Sequence, residues 1–114
     1  FSKYINNKDI QFTSIEKNIK IEENSNFELN WKISEDIFNK VDNNIHLVLQ
    51  RDTYKQTSYH FIFDICQVNK NTNSFIWNVK AGKKHNKKSP FFIALISPST
   101  YPNYIGWSEP FYIF

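Results

Sequence analysis

The fold is decided by one alternating stretch, Phe27-Glu28-Leu29-Asn30-Trp31-Lys32-Ile33, in which apolar and polar residues follow each other without a break. Successive side chains of a β-strand point to opposite faces, so this period of two predicts a strand with one buried face. We expect its apolar residues to lie in a core and its polar residues to face solvent. The polar cluster Asn24-Ser25-Asn26 directly before it predicts a turn.

Shorter apolar segments separated by polar turns follow at the spacing of about 8–12 residues that is typical of β-sandwiches. Residues 34–40 predict only a short helical turn capped by Ser34 or Asp36, and residues 98–110 predict a long loop rich in Tyr, Trp and Pro. The further predicted strands are weak ones at Ile15, Ile19 and Ile21 and stronger ones at residues 45–49, 59–68, 74–79, 91–97 and 111–114.

This pattern predicts an all-β fold, an immunoglobulin-like antiparallel β-sandwich of seven to eight strands. The 114 residues form one domain's length of chain, so we expect a single domain over residues 1–114, with residues 1–14 as a loose N-terminal arm or edge strand. Aromatic residues make up 18% of the chain and favour strands, whereas only two residues are Gly. Tight turns must therefore use Asn and Asp, which tolerate left-handed backbone better than most residues.

Charge and cysteine content limit the functions that need considering. The net charge of +3 does not favour a nucleic-acid binder, and no apolar run is long enough to predict a transmembrane segment in this fragment. Cys66 is the only cysteine, so it has no intrachain disulfide partner; its apolar surroundings favour a buried thiol over a reactive one.

No arrangement of residues predicts catalysis. His46, His60 and His85 share no metal-ligand spacing with one another or with Cys66. The acidic residues form no pair at catalytic spacing, and nucleophile and phosphate-loop motifs are absent from the sequence. We therefore expect no enzyme activity, no cofactor and no metal site.

Three aromatic residues in the predicted loop 98–110 form the first candidate binding site: Tyr101, Tyr104 and Trp107. Exposed aromatic faces stack on sugar rings and also anchor protein interfaces. The alternative is that some of them fold back over the end of the sandwich as a lid. Trp31 and Trp77 lie in phase with other apolar residues and are assigned to the core.

A basic segment forms the second candidate site, an anion-binding loop that attracts sulfated glycans or acidic partners. Its alternative is a solvated loop that keeps the protein soluble. Lysine supplies a point charge rather than a bidentate fork, which favours loose attraction over specific recognition. The residues are Lys80, Lys83, Lys84, His85, Lys87 and Lys88.

From Ile19 onward, the order of strands and tryptophans resembles the Kre9/Knh1-type immunoglobulin-like domain of cell-wall and cell-surface proteins. The resemblance rests on residues 27–31, 45–49, 74–79, 91–96 and 108–113. It departs from the family pattern where Asn clusters replace the usual Gly before the two Trp strands. The resemblance implies a secreted or surface protein connected with cell-wall glucan assembly or adhesion.

The first hypothesis is therefore a non-enzymatic secreted or surface module whose partner is a surface glycan. The second is a protein-interaction or adhesion domain of a larger surface complex, and the third is anion binding through the Lys-rich loop. High salt separates these hypotheses, because stacking on a neutral sugar survives it and binding to an anion does not.

Overall fold

The computed structural model describes residues 9–52, 59–81, 90–100 and 105–114. Within these ranges the chain forms nine β-strands, one α-helix and one turn of 3₁₀ helix. Their bounds are β1 Ile10–Phe12, β2 Ile19–Ile21, β3 Asn26–Ile33, α1 Glu35–Phe38, β4 Asn44–Asp52, β5 Tyr59–Asn69, β6 Ser74–Asn78, β7 Phe91–Ile96, the 3₁₀ turn Pro98–Thr100, β8 Ile105–Trp107 and β9 Phe111–Ile113.

The strands are divided between two sheets. The first sheet has the order β1-β3-β6, and the second has the order β2-β9-β7-β4-β5 with β8 also paired to β7. Neighbouring strands are antiparallel except for β2 and β9, which run parallel. In an immunoglobulin sandwich, strands B and E pair in one sheet, and strands C, F and G lie side by side in the other. Here β3 pairs with β6 in the first sheet, and β4, β7 and β9 lie side by side in the second, which is the same arrangement. The predicted all-β sandwich is confirmed.

The core lies between the two sheets and follows the alternation of the sequence. Leu29 and Trp31 of β3 are buried, Phe27 and Ile33 are half-buried against the same core, and Trp77 is buried on the neighbouring β6. Both core assignments of tryptophan are therefore confirmed. The second sheet contributes the completely buried side chains of Ile45, Leu47, Leu49, Phe91, Ile93, Leu95, Phe111 and Ile113.

Short local signals fix the connections as the sequence predicts. Ser34 caps α1, since its hydroxyl accepts a hydrogen bond from the Ile37 amide. Asn24 has a φ of 70° in the turn before β3, where a Gly-poor chain needs a residue that tolerates left-handed backbone. In the described ranges, α1 is the only α-helix, and no helix there has the length and apolar character to span a membrane.

The structure corrects one prediction about the C-terminal region. Residues 98–110 were expected to form a loop, but Ile105–Trp107 is the strand β8, paired with Ala94–Ile96 of β7. A three-residue strand beside Pro and Tyr is too short to show period-two alternation. At the other end of the chain, Ile10–Phe12 forms β1 at the edge of the first sheet, and residues 1–8 lie outside the described ranges.

Candidate functional site

The structure places one of the three aromatic residues of the first candidate site. Trp107 is the last residue of β8, and its side chain is half-buried. Tyr101 and Tyr104 lie outside the described residues. Trp107 is therefore a strand residue with a fixed neighbourhood, and it belongs neither to the core between the sheets nor to a loop.

Trp107 is held on the outer face of the second sheet. Its indole Nε1 donates a hydrogen bond of 2.8 Å to Oε1 of Gln50, a largely buried residue of β4. Its ring packs with Ile96 against Val48 and Ala94, which are buried although they face away from the main core. Hydrogen bonding and packing together fix the orientation of the indole, so a ligand would not have to order this side chain.

Trp107 also borders a groove of about 270 Å³ between β1 and β8, which we name the Trp107 groove. The two strands come close here because the residue before Trp107 is Gly106, against which the side chain of Ile10 packs. The groove is lined by Ile10, Gln11, Phe12, Thr13, Trp107, Ser108 and Glu109.

The polar groups of the Trp107 groove differ in their availability. The hydroxyl of Ser108 accepts from the Ile93 amide at 2.9 Å and donates to the Glu109 carbonyl at 2.9 Å, so it is engaged in the fold. Gln11 and Glu109 are exposed, and their side chains have no hydrogen-bond partner among the residues that the structure describes. Trp107, Gln11 and Glu109 thus all border the groove, and the amide and the carboxylate are not engaged by other described residues.

Sequence reasoning missed two members of this site. Gln50 carries a weak signal, because it is a polar residue directly after the apolar stretch 45–49. No sequence feature marks Gln11 as a site residue, because only the crossing of β1 over β8 brings it beside Trp107. Its place in the site depends on the three-dimensional arrangement of strands that are far apart in sequence.

The second candidate site lies mostly outside the described residues, since these end at Ala81 and resume at Pro90. Lys83, Lys84, His85, Lys87 and Lys88 are in that gap. Lys80 is described and exposed, and its Nζ lies 3.1 Å from Oδ1 of Asn24. Glu23 lies close by, because its Oε2 accepts from the Ala81 amide at 3.1 Å. The start of the basic loop is thus tied to the β2–β3 turn.

A second groove lies on the opposite side of the sandwich, between the edge strands β5 and β6. Its volume is about 430 Å³. Ile76 stands at this edge with 66% of its surface exposed, an unusual degree for a large apolar side chain. The groove is lined by Asp64, Ile65, Phe75, Ile76, Trp77, Asn78 and Lys80.

Among the strands that the structure describes, β6 pairs only with β3, so its other edge has no partner strand in that part of the chain. The Trp31 amide donates to the Asn73 carbonyl, and the Val79 amide donates to the Ser25 carbonyl. Backbone groups of an antiparallel strand alternate between its two sides, so every second residue between Asn73 and Val79 faces away from β3. The outward-facing N–H and C=O groups belong to Ser74, Ile76 and Asn78.

No metal centre forms in the part of the chain that the structure describes, where no group of three His, Cys, Asp or Glu side chains could hold an ion. His46 is half-buried on β4, while the side chain of His60 and the whole of His85 lie outside the description.

Comparison with known proteins adds no family to these observations. No protein-family model matches the chain, and no curated protein matches it. The features that bear on function are therefore the two grooves, the fixed indole of Trp107 and the edge of β6 that no described strand covers.

Proposed function

We propose that this domain is a non-enzymatic secreted or cell-surface module that binds a neutral surface glycan in the Trp107 groove. The observation that carries the proposal is the fixed, half-exposed indole of Trp107 beside the free side chains of Gln11 and Glu109. The resemblance to the Kre9/Knh1-type domain supports the secreted location and a connection with cell-wall glucan.

The chemistry of the groove suits a sugar ring. A pyranose has an apolar face of C–H groups that packs on an aromatic ring, and its hydroxyls both donate and accept hydrogen bonds. The Gln11 amide offers both kinds of group, and the Glu109 carboxylate accepts from two neighbouring hydroxyls. A groove of about 270 Å³ accommodates one or two sugar residues and leaves the rest of a polymer outside.

The test is a glycan array probed with the purified domain at low and high salt, including linear β-glucans and sulfated glycans. Binding to a neutral glucan should persist at high salt, because stacking and neutral hydrogen bonds are screened little. Trp107→Ala should abolish it, and Gln11→Ala should weaken it. Phe114→Ala is the matched control, since Phe114 is an aromatic residue with 58% of its surface exposed that does not border the groove.

Two results would contradict the proposal. Equal loss of binding in Trp107→Ala and Phe114→Ala would mean that the effect is not specific to the groove. Binding only to sulfated glycans, lost at high salt and on neutralising Lys83, Lys84, Lys87 and Lys88, would transfer the function to the basic loop.

We propose as the second candidate function a protein-interaction module that receives an extended segment at the free edge of β6. Exposed strand edges are usually protected by charge, proline or a bulge. The sequence of β6, Ser74-Phe75-Ile76-Trp77-Asn78, has no charged residue and no proline, and its register with β3 is continuous. The other edge bordering the groove, β5, has two register shifts against β4 and carries Asp64.

Strand addition is tested with a synthetic peptide in which Val and Thr alternate. Binding at the edge should shift the amide resonances of Ser74, Ile76 and Asn78 and slow their hydrogen exchange, because the peptide pairs with those groups. A peptide with proline at its centre should fail, and Ile76→Lys should weaken binding. Shifts spread equally over both sheets would count against this function.

A further inference from the structure

The edge strands of the two sheets differ in how well they suit pairing with a second copy of this chain. Two identical antiparallel strands pair about a two-fold axis, and the residue on that axis lies opposite its own counterpart. A charged residue at the centre of an edge strand therefore meets an identical charge, which opposes the pairing. The central residue of each edge strand thus decides whether two copies can pair there.

Charge or a neighbouring strand disfavours self-pairing at three of the four edges that the structure describes. The second sheet ends in β2, which is centred on Lys20, and in β5, which is centred on Asp64 and has two register shifts against β4. The first sheet ends on one side in β1, which has three residues and lies against β8 where Ile10 packs on Gly106. Its other edge, β6, is centred on Ile76 and has no charged residue, no proline and no bulge.

The backbone of β6 is complementary to itself about Ile76. The N–H and C=O groups that face away from β3 belong to Ser74, Ile76 and Asn78, which are evenly spaced about the centre of the strand. With the two-fold axis at Ile76, this residue lies opposite its counterpart in the second copy, and Ser74 lies opposite Asn78 of that copy. Each facing pair exchanges two backbone hydrogen bonds, so every outward-facing backbone group of the strand is satisfied.

The side chains at this edge also suit a second copy. Ile76 has 66% of its surface exposed, the largest fraction for any large apolar side chain among the described residues. It lies on the outer face of the first sheet, since its neighbour Trp77 is buried on the inner face. In the self-paired strands the two Ile76 side chains lie side by side and cover each other. Asp64 and Lys80 line the groove at this edge, and their opposite charges let two copies meet without net repulsion.

We infer that the edge of β6 is a dimerisation site whose partner is a second copy of this chain, paired strand to strand about a two-fold axis at Ile76. The inference rests on the second proposed function, because it names the segment that the edge receives. The first sheets of the two copies then form one continuous sheet. Because β1 and β6 are opposite edges of the first sheet, the Trp107 groove of each copy stays open, and on the glycan proposal the dimer is bivalent.

Sedimentation velocity measures the association directly, over a concentration series up to the millimolar range. We expect a reversible equilibrium between monomer and dimer. Ile76→Lys should weaken it about tenfold or more, because the contact between the isoleucines is lost and two lysines face each other. Phe114→Lys is the matched control, since it adds the same charge at another exposed apolar side chain that lies outside β6.

The register of the pairing is tested by oxidative cross-linking in a Cys66→Ser background. Ile76→Cys should form a disulfide between two copies, because facing residues of a hydrogen-bonded pair have Cα atoms about 5.5 Å apart, within the range of a disulfide. Ser74→Cys is the control, since Ser74 faces Asn78 of the second copy. Its own counterpart lies four residues, or about 13 Å, further along the strand, which is beyond the reach of a disulfide.

Three results would overturn the inference: a monomer at every concentration, a dimer that Ile76→Lys leaves intact, or equal cross-linking of Ile76→Cys and Ser74→Cys. The peptide of alternating Val and Thr separates this failure from a failure of the second proposed function. A monomer that binds the peptide at Ser74, Ile76 and Asn78 overturns self-pairing alone. A monomer that does not bind it overturns the strand-receiving edge as well.

Discussion

A β-carbon placed on Gly106 would lie 2.6 Å from Cβ of Ile10, well inside van der Waals contact. The same position would meet Cγ2 and Cδ1 of Ile10 at 2.7 and 2.8 Å. Strand β1 of the first sheet therefore crosses β8 of the second sheet at a distance that only glycine permits. The Trp107 groove lies beside this close crossing, since Ile10 and Trp107 both line it.

Gly106→Ala should destabilise the fold by about 1–3 kcal/mol, because the added methyl group must push β1 away from β8. Urea denaturation measures the free energy of unfolding directly. The double variant Gly106→Ala with Ile10→Ala tests whether crowding is the cause, because alanine at position 10 removes two of the three close contacts. Its loss of unfolding free energy should then be smaller than the sum of the losses in the two single variants. A single variant as stable as the wild type would contradict the close crossing.

Gln50→Ala should lower the free energy of unfolding by about 1 kcal/mol, because it removes the acceptor of the Trp107 indole. On the glycan proposal it should also reduce affinity, but less than Trp107→Ala does, because the ring stays present while losing its fixed orientation. Urea denaturation and glucan titration measure the two effects. Gln67→Ala is the control, since Gln67 is exposed on the neighbouring β5 and should change neither quantity.

The contrast between β3 and β8 indicates which parts of the fold were predictable from sequence. Strand β3 has eight residues with one face toward the core, so the alternation of apolar and polar residues is visible in its sequence. Strand β8 has three residues, and the close crossing requires the middle one to be glycine. A run so short, with a small residue at its centre, cannot show an amphipathic pattern, although it carries the side chain most important for the proposed site.

The binding surfaces were less predictable because they depend on which strands become neighbours. Trp107 was identified from its residue type, but Gln11 and Gln50 were not, because they reach it from β1 and β4. The indole N–H of Trp31, which has no hydrogen-bond partner among the described residues, was unpredictable for a related reason. An in-phase Trp on an alternating strand predicts burial, and nothing in the sequence shows whether its N–H finds an acceptor.

Asp42 should make the stability of the fold depend on pH in the acid range. The pKa of its carboxyl group lies below the usual 3.8, mainly because the hydroxyl and the backbone amide of Ser99 both donate to it. A lowered pKa in the folded state means that the stabilisation is fully present above 3.8 and is lost as pH falls through the folded-state value.

Asp42→Asn should therefore lower the melting temperature at neutral pH, and the difference from the wild type should shrink below about pH 3.8. Thermal unfolding followed by circular dichroism over this range measures it. Ser99→Ala should reproduce the loss at neutral pH, because it removes one of the donors. A difference that stays constant from neutral to strongly acid pH would show that the carboxylate charge does not contribute.

Cys66 should react slowly as long as the protein is folded. The side chain is half-buried on β5, and burial raises the pKa of its thiol from 9.0 to about 11. Because the thiolate is the reactive form, this shift reduces the reactive fraction near pH 8 by roughly 100-fold. The rate with an aromatic disulfide reagent should thus be far lower in buffer than in urea, and it should keep rising with pH beyond 9.0. A native rate within a few-fold of the unfolded rate would mean that the thiol is exposed and that β5 opens at this position.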